Sequence, residues 1–360
     1  IINADVLDAW FDPAPAVLDA LRAHLPWLVR TSPPTQGQGL QAAIAAARGV
    51  PEVSVLSGAG SSDLLFLALR QWLSADSRVL LLDPTYGEYD HVCTHVLGCQ
   101  VDRFPLDEVD GYKLDLARWL AAVHDGRYDL VVLVHPNNPT GTTVPRADLE
   151  AALDAVPAGT RVWVDEAYVD YLGPDVSVER YAAQAPHVVV CKSMSKTYAL
   201  SGARAGYLCA HPSVLAPLRG LTPPWAVSLL GQVAAVAALG ASDYYAGRYA
   251  ETHALRADLA AGLRALDAGL TVREGAANYV LVRLPEEGSD AATLVAACRA
   301  RGLFIRNVRN MGTRVGTRTV RLAVKDAPTQ ARMLDLFAEA LADVPSGDGS
   351  PLEVAAVRGT

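Results

Sequence analysis

A lysine set among hydroxyls and an arginine offers the most distinctive chemistry in this chain. In the stretch CKSMSKTYALSGARAGY, Cys191 to Tyr207, Lys196 follows Ser193 and Ser195, and Arg204 lies beyond it between Gly202 and Gly206. An amine that is to form a Schiff base has to be desolvated and held still, whereas hydroxyls beside a guanidinium suit a dianionic phosphate. The same letters also read as a solvated lysine in a polar loop. The apolar run VVVC just before them reads as a buried strand, so the lysine is expected at a strand end.

Other candidate groups also follow apolar runs. In LSGAGSSDLLFLALRQWL, Gly58 and Gly60 let the backbone curl, and Ser61 and Ser62 are placed to cap the helix that follows. Free amides at such a helix start make an anion site. A dinucleotide site competes for this turn, because Asp83 lies about 20 residues on. Against it, Asp63 stands where the third glycine of GxGxxG belongs. The strand Arg78 to Leu82 ends in DPTYGEYDH, where Tyr86 either stacks on a planar ring or packs under a loop. The run YDLVVLV suits a parallel strand covered on both faces, and it empties into HPNNPTG, a rigid turn that fixes the aim of Asn138. Arg161 to Val164 ends in DEAY, so Asp165 either caps a helix or, if buried, requires a partner; Tyr168 follows three residues on. Arg321, in TVRLAV, is either a strand's outward face or a fork for a carboxylate. Arg306 sits in LFIRNV, and Arg309, Arg314 and Arg318 form a basic loop that either receives a distal anion or is solvated.

With 360 residues the chain exceeds the size at which one core keeps growing, so two domains are expected. Hydrophobic residues at 51% and charged ones at 19% supply a large core and exclude a disordered chain. A net charge of −8 leaves no basic footprint for nucleic acid or an anionic membrane, which points to small-molecule chemistry. Five scattered cysteines without CxxC spacing fit reduced thiols and a cytoplasmic setting, with no metal site. No signal peptide is evident at the start, although numbering from Ile1 fits a trimmed start as well. The apolar region Leu221 to Ala241 contains Pro223, Pro224 and Gln232, so it reads as a loop feeding a buried helix rather than a membrane span.

Taken together, SMSKTYALSGARAGY and the motifs before it resemble the pyridoxal 5′-phosphate (PLP) enzymes of fold type I. The likeness is greatest to the histidinol-phosphate aminotransferase branch of the class I/II aminotransferases, and it runs from about Ser57 to Arg321. It implies an α/β fold with a large, doubly wound, mostly parallel sheet and a smaller C-terminal α/β domain. The expected divisions are an N-terminal arm over 1–35, a PLP-binding domain over 36–250, a small domain over 251–342 and a poorly ordered tail over 343–360. By resemblance, Lys196 carries the cofactor as a Schiff base, and Asp165 faces the pyridine nitrogen. Tyr86 covers the ring, while Asn138 and Tyr168 share its oxygen. Gly60, Ser61, Ser62, Ser193, Ser195 and Arg204 hold the phosphate.

Arg321 and Arg306 match the family's substrate arginines. The implied activity is transfer of an amino group from an L-amino acid or amino phosphate to a 2-oxo acid, in a homodimer. A PLP-dependent lyase or decarboxylase on the same seat, or a non-catalytic PLP-fold sensor, are the alternatives; a sensor would need a DNA-binding segment, and neither end has a basic helix-turn-helix. The family's arm crosses to the dimer partner, and Ser32 in TSPPTQGQG departs from it by standing where a tyrosine precedes the proline.

Overall fold

Apolar runs that end in polar turns become the strands of one large sheet. The computed structural model describes residues 1–266 and 269–343. In chain order its strands are β1 (Ile2–Asn3), β2 (Val55–Gly58), β3 (Arg78–Asp83), β4 (Gln100–Pro105), β5 (Leu130–Val134), β6 (Arg161–Asp165), β7 (Val188–Ser193) and β8 (Gly206–Cys209). The small C-terminal part adds β9 (Thr271–Glu274), β10 (Tyr279–Arg283), β11 (Leu303–Phe304), β12 (Arg306–Asn307) and β13 (Thr319–Ala323).

The large sheet has the order β2-β8-β7-β6-β5-β3-β4. β3 pairs in parallel with β4 and β5, and β5, β6 and β7 continue in parallel, whereas β8 is antiparallel to both of its neighbours. Every strand but β8 therefore points the same way, and the ends of β2, β3, β5, β6 and β7 open on one edge. Every residue of β5 and β7 is buried, as expected of strands sandwiched between helices. A fully buried Val or Leu contributes about 1.5–3 kcal/mol, so these central strands hold the edge rigid. The helix Ser61–Trp72 covers one face with Leu64, Leu65, Ala68 and Leu69, the spacing of a single apolar stripe.

A second sheet, β12-β13-β10-β9, is antiparallel throughout and shares a core with the helices Ser242–Leu266, Ala291–Ala300 and Ala327–Asp343. The helix Ser242–Leu266 runs unbroken through the expected division at 250, with Tyr245 in the first core and Leu259 in the second. The region 1–35 is more tightly tied down than an arm. β1 pairs with β11 of the same chain, Ala4 and Leu7 enter the small core, and Phe11, Ala14 and Val17 enter the large one. The helix Pro15–Arg30 is longer than the amphipathic stretch read from the sequence, and it tolerates Pro26 inside. Among the described residues no helix is long and apolar enough to cross a membrane, and all five cysteines are buried and unpaired. The tail expected over 343–360 lies outside the described residues, apart from Asp343.

Candidate active site

Five strand ends converge on a cavity of about 140 Å³. Its lining includes Ser61 beyond β2, Tyr86 beyond β3, Asn138 beyond β5, Asp165 and Tyr168 at the end of β6, and Ser193 and Lys196 at the end of β7. Arg306 and Arg321 enter from the small domain. Nine of the residues singled out in the sequence thus share one cleft, while Gly60, Ser62, Ser195 and Arg204 do not line it.

Each of those four is engaged in a local hydrogen bond. Gly60 has φ +99° and is itself the cap of the helix Ser61–Trp72, so the two serines do not cap it with their side chains as expected. The reason is a backbone conformation that side chains rarely adopt at residue 60 and a close backbone approach at residue 206. A Cβ on Gly60 would stand 2.5 Å from the Arg204 guanidinium, and one on Gly206 would stand 2.9 Å from the Ser61 nitrogen. Only glycines let these segments meet. The amides of Ser61 and Ser62 then begin the helix and have no partner within it, the arrangement that receives anions. The Ser62 hydroxyl turns away and donates to Glu88 at 3.0 Å. Arg204 is left-handed at φ 52°, exposed, and donates to the Ser201 carbonyl.

Lys196 lies in the short helix Met194–Thr197 directly after β7, capped by Ser193, whose Oγ accepts from the Ser195 amide at 3.3 Å. The turn is pinned from below, because the Tyr171 hydroxyl donates to the Lys196 carbonyl at 3.0 Å. The Lys196 ammonium pairs with Asp8 at 3.2 Å. Burial works to raise the Asp8 carboxyl, but the Ser201 hydrogen bond and Lys196 outweigh it and hold it below its ordinary value.

Asp165 is a buried charge in the cleft. Burial pushes its carboxyl up to about 6, even though the Tyr89 hydroxyl donates to Oδ2 at 2.7 Å and the Ala167 amide to Oδ1 at 3.0 Å. A buried carboxylate with no cation of its own in hydrogen-bond reach is favourable only beside a positive partner. Trp163 in turn donates to the Tyr89 oxygen at 2.8 Å, so a Trp163–Tyr89–Asp165 chain sets the carboxylate's orientation. The sequence reading missed Tyr89. Its one signal was a second tyrosine three residues after Tyr86, one helical turn away on the same face. Tyr89→Phe would strand a carboxylate oxygen and an indole N–H, a loss of about 1–3 kcal/mol. A lower denaturant midpoint at unchanged slope is the expected result.

Arg321 is 3% exposed, which rules out its reading as a strand's outward face. Its Nη1 donates to Asn138 Oδ1 at 2.6 Å and its Nη2 to the Asp5 carbonyl at 2.9 Å, while its buried Nε has no hydrogen-bond partner. Burial lowers its pKa from the ordinary value. Arg306 Nε lies 2.5 Å from the Asp5 carboxylate. Asp5 and Asp8, which the sequence reading did not single out, are therefore the N-terminal segment's contribution to the cleft. Of the basic loop, Arg314 pairs with Asp107 at 3.3 Å and Arg318 donates to three carbonyls, of Pro285, Gly288 and Ser289.

The arrangement fits a phosphorylated planar ring bearing a cation. The glycine-lined helix start and Ser193 suit the phosphate, Tyr86 and the strand ends suit the plane, and Asp165 suits a ring cation. An amine beside such a ring suits covalent attachment, and an arginine with an unpartnered buried nitrogen suits a second, carboxylate-bearing molecule.

Known proteins point the same way. The family model described as aminotransferase class I and II matches residues 7–341. An aromatic amino acid aminotransferase from Streptomyces avermitilis is 35% identical over 308 residues, covering 85% of this chain and 83% of the relative. A histidinol-phosphate aminotransferase from Thiobacillus denitrificans is 32% identical over 315 residues, covering 87% and 78%. The crystal structure of histidinol-phosphate aminotransferase from Sinorhizobium meliloti, in complex with pyridoxal 5′-phosphate, superposes with a TM-score of 0.81 at 26% identity, covering 94% of this chain and 89% of that one.

Proposed function

The chain belongs to the class I and II aminotransferases and is a PLP-dependent aminotransferase, and from that premise we propose which residues do the work and on what kind of substrate. The observation that carries the proposal is the meeting of Lys196, Asp165 and Arg321 in one cavity. PLP, when bound, supplies the electron sink that weakens the bonds at an amino acid's α-carbon.

The protein's part is to hold, orient and move protons. The amides of Ser61 and Ser62, which follow Gly60, form the phosphate end of the seat with Ser193, Ser195 and Arg204 around them; the Gly60 amide itself donates to the Gly58 carbonyl at 2.8 Å. Tyr86 covers the ring. Asn138, whose Oδ1 is taken by Arg321, has its Nδ2 left to donate to the ring oxygen, a task it shares with Tyr168. Asp165 keeps a proton on the ring nitrogen, which satisfies its own need for a positive partner. The Lys196 amine removes the substrate α-proton and returns it one position away as general acid.

Arg321 grips the α-carboxylate, with Arg306 beside it at the cavity mouth. This favours an L-amino acid donor and a 2-oxo acid acceptor over a donor lacking a carboxylate. We also place the protein in the cytoplasm as a homodimer, with 36–250 and 251–342 as its two bodies. Ser32 is exposed and available to a partner subunit. The test is a panel of L-amino acids, aromatic ones included, and histidinol phosphate, each supplied with 2-oxoglutarate. Glutamate formation from an L-amino acid, by a particle of twice the 38.1 kDa chain mass, is the expected outcome. Turnover of histidinol phosphate alone, or release of CO₂ without glutamate, would count against it.

A further inference from the structure

The segments that carry Asp165 and Lys196 are tied together by five charged groups that do not line the cleft. Glu166 follows Asp165 at the end of β6, Asp170 lies in the turn Val169–Leu172, Glu179 begins the helix Glu179–Ala182, Lys192 is on β7, and Arg48 ends the helix Gln38–Arg48. Lys192 Nζ lies 2.9 Å from Asp170, and 3.7 Å from both Glu166 and Glu179. Arg48 reaches Asp170 at 3.2 Å and Glu179 at 3.7 Å. Three carboxylates thus face two cations, and Glu166, Glu179 and Lys192 are each no more than 3% exposed. One uncompensated negative charge in such a place is costly.

The hydrogen count makes the same point independently. Ser177 Oγ lies 2.5 Å from Glu166 Oε2 and 3.0 Å from Glu179 Oε2, and it accepts from the Glu179 amide at 3.2 Å. A hydroxyl has one hydrogen to give and two lone pairs. If both glutamates were ionised, one of the two oxygen contacts would have no hydrogen in it. A proton on Glu166 Oε2 completes the set: Glu166 donates to Ser177, and Ser177 donates to Glu179. The other Glu166 oxygen already accepts from the Val178 amide at 2.8 Å. Glu179, by contrast, accepts from the Tyr207 hydroxyl at 2.7 Å and has Arg48 beside it, so it is the better anion.

We propose that Glu166 is a positioning residue that works as a neutral acid, its proton closing the Glu166–Ser177–Glu179 chain and so fixing the turn that presents Lys196. The linkage runs through Asp170, which takes both the Lys192 ammonium and the Thr197 hydroxyl, the latter at 3.2 Å, one residue beyond Lys196. Losing the proton leaves an oxygen contact without hydrogen and pulls Lys192 away from Asp170. Burial pushes the Glu166 carboxyl up to about 7 against the pull of Lys192. Burial also works to raise Asp170, but Arg48 and Lys192 outweigh it and hold that carboxyl far below the usual range. The other titratable groups that face the cluster are Tyr207 and Cys209 on β8, Tyr198 after the turn, and Tyr171 and Tyr249 beside Asp170, all pushed up by burial, and His135 beyond β5, pushed down by burial. Arg146 and Arg180 border Ser177 and Glu179, but Arg146 is paired with Glu150 and Arg180 donates to the Arg48 carbonyl, and neither makes an ion pair with the three carboxylates. Because the Glu166 value is raised from an ordinary 4.5, its stabilisation is fully present below about pH 4.5 and is lost as pH rises from there through about 7.

The experiment compares the holoenzyme with Glu166→Gln, whose amide donates to Ser177 at every pH. Between about pH 6 and about pH 8 the wild type should lose an infrared carbonyl band of a protonated carboxyl that the variant lacks, and between about pH 4.5 and about pH 7 its melting temperature should fall at least twice as far as the variant's. Asp165 is common to both proteins, so the difference isolates residue 166. Wild-type turnover should also drop several-fold more than that of Glu166→Gln on the alkaline side. This activity arm rests on the reading of Lys196 given above, whereas the infrared and melting arms do not. Should Glu166→Gln fail to fold, Ser177→Ala, which keeps the acid and removes its acceptor, should move the wild-type band in frequency. Equal bands and parallel melting profiles in wild type and Glu166→Gln, or a Ser177→Ala band at the wild-type position, would overturn the proposal.

Discussion

Lys196→Ala is expected to lower amino transfer by at least about three orders of magnitude, because the one side chain is asked both to anchor the cofactor and to move the α-proton. The fold should survive the change. The ion pair with Asp8 has side chains 22% and 50% exposed, and such pairs contribute about 0–1 kcal/mol. The turn is held by Tyr171 through the Lys196 carbonyl, which alanine retains. A variant that melts near the wild type, no longer yellow after dialysis and inactive in single-turnover assays, is the expected result. A variant within tenfold of wild-type turnover would remove Lys196 from the chemistry.

Asp165→Asn comes next, with an expected fall in turnover of about a hundredfold or more. Removing one partner of a buried charge pair costs about 3–5 kcal/mol, and here the lost partner faces the cofactor ring. The amide keeps the shape and its oxygen can accept from the Ala167 nitrogen, but its NH2 replaces the oxygen that accepted from Tyr89, so both the charge and that hydrogen bond are lost. The pH dependence separates the two. Burial pushes the wild-type carboxyl up to about 6, and the ionised form is the competent one, so wild-type activity should decline on the acid side. The cation it faces moves that decline to lower pH. Asp165→Asn should show no acid-side step at all. A variant with the wild-type acid limb would assign that limb to another group.

Much of this site could be read from the chain because each component follows an apolar run that can only be a buried strand. LVVLV before HPNNPTG and VVVC before SMSK are the clearest cases, and parallel strands then force their ends onto one edge. Residue type alone did not say where side chains point. Ser62 and Ser195 matched a phosphate seat by type, yet the Ser62 hydroxyl is taken by Glu88, and neither residue lines the cavity. Ser61 and Ser62 looked like helix caps, but residue 60, at φ +99°, is the cap, in a backbone conformation that favours glycine.

The groups that were not legible are those whose partners lie far away in sequence. Asp5 meets Arg306 and Arg321, and Asp8 meets Lys196, through contacts that span nearly the whole chain or half of it. Tyr89 gains its meaning from β6, and Glu166 from Ser177 and Lys192. A local pattern carries no trace of such pairings, and buried charge pairs are set by tertiary geometry rather than by periodicity.

The chain has four lysines, Lys113, Lys192, Lys196 and Lys325, which makes the central claim open to one direct measurement. The holoenzyme would be reduced with borohydride, digested and mapped by mass spectrometry. The expected result is a pyridoxyl adduct on the peptide carrying Lys196 and on Lys196 alone. An adduct on Lys113, Lys192 or Lys325 with Lys196 unmodified, or no adduct on any lysine of a protein saturated with cofactor, would contradict it.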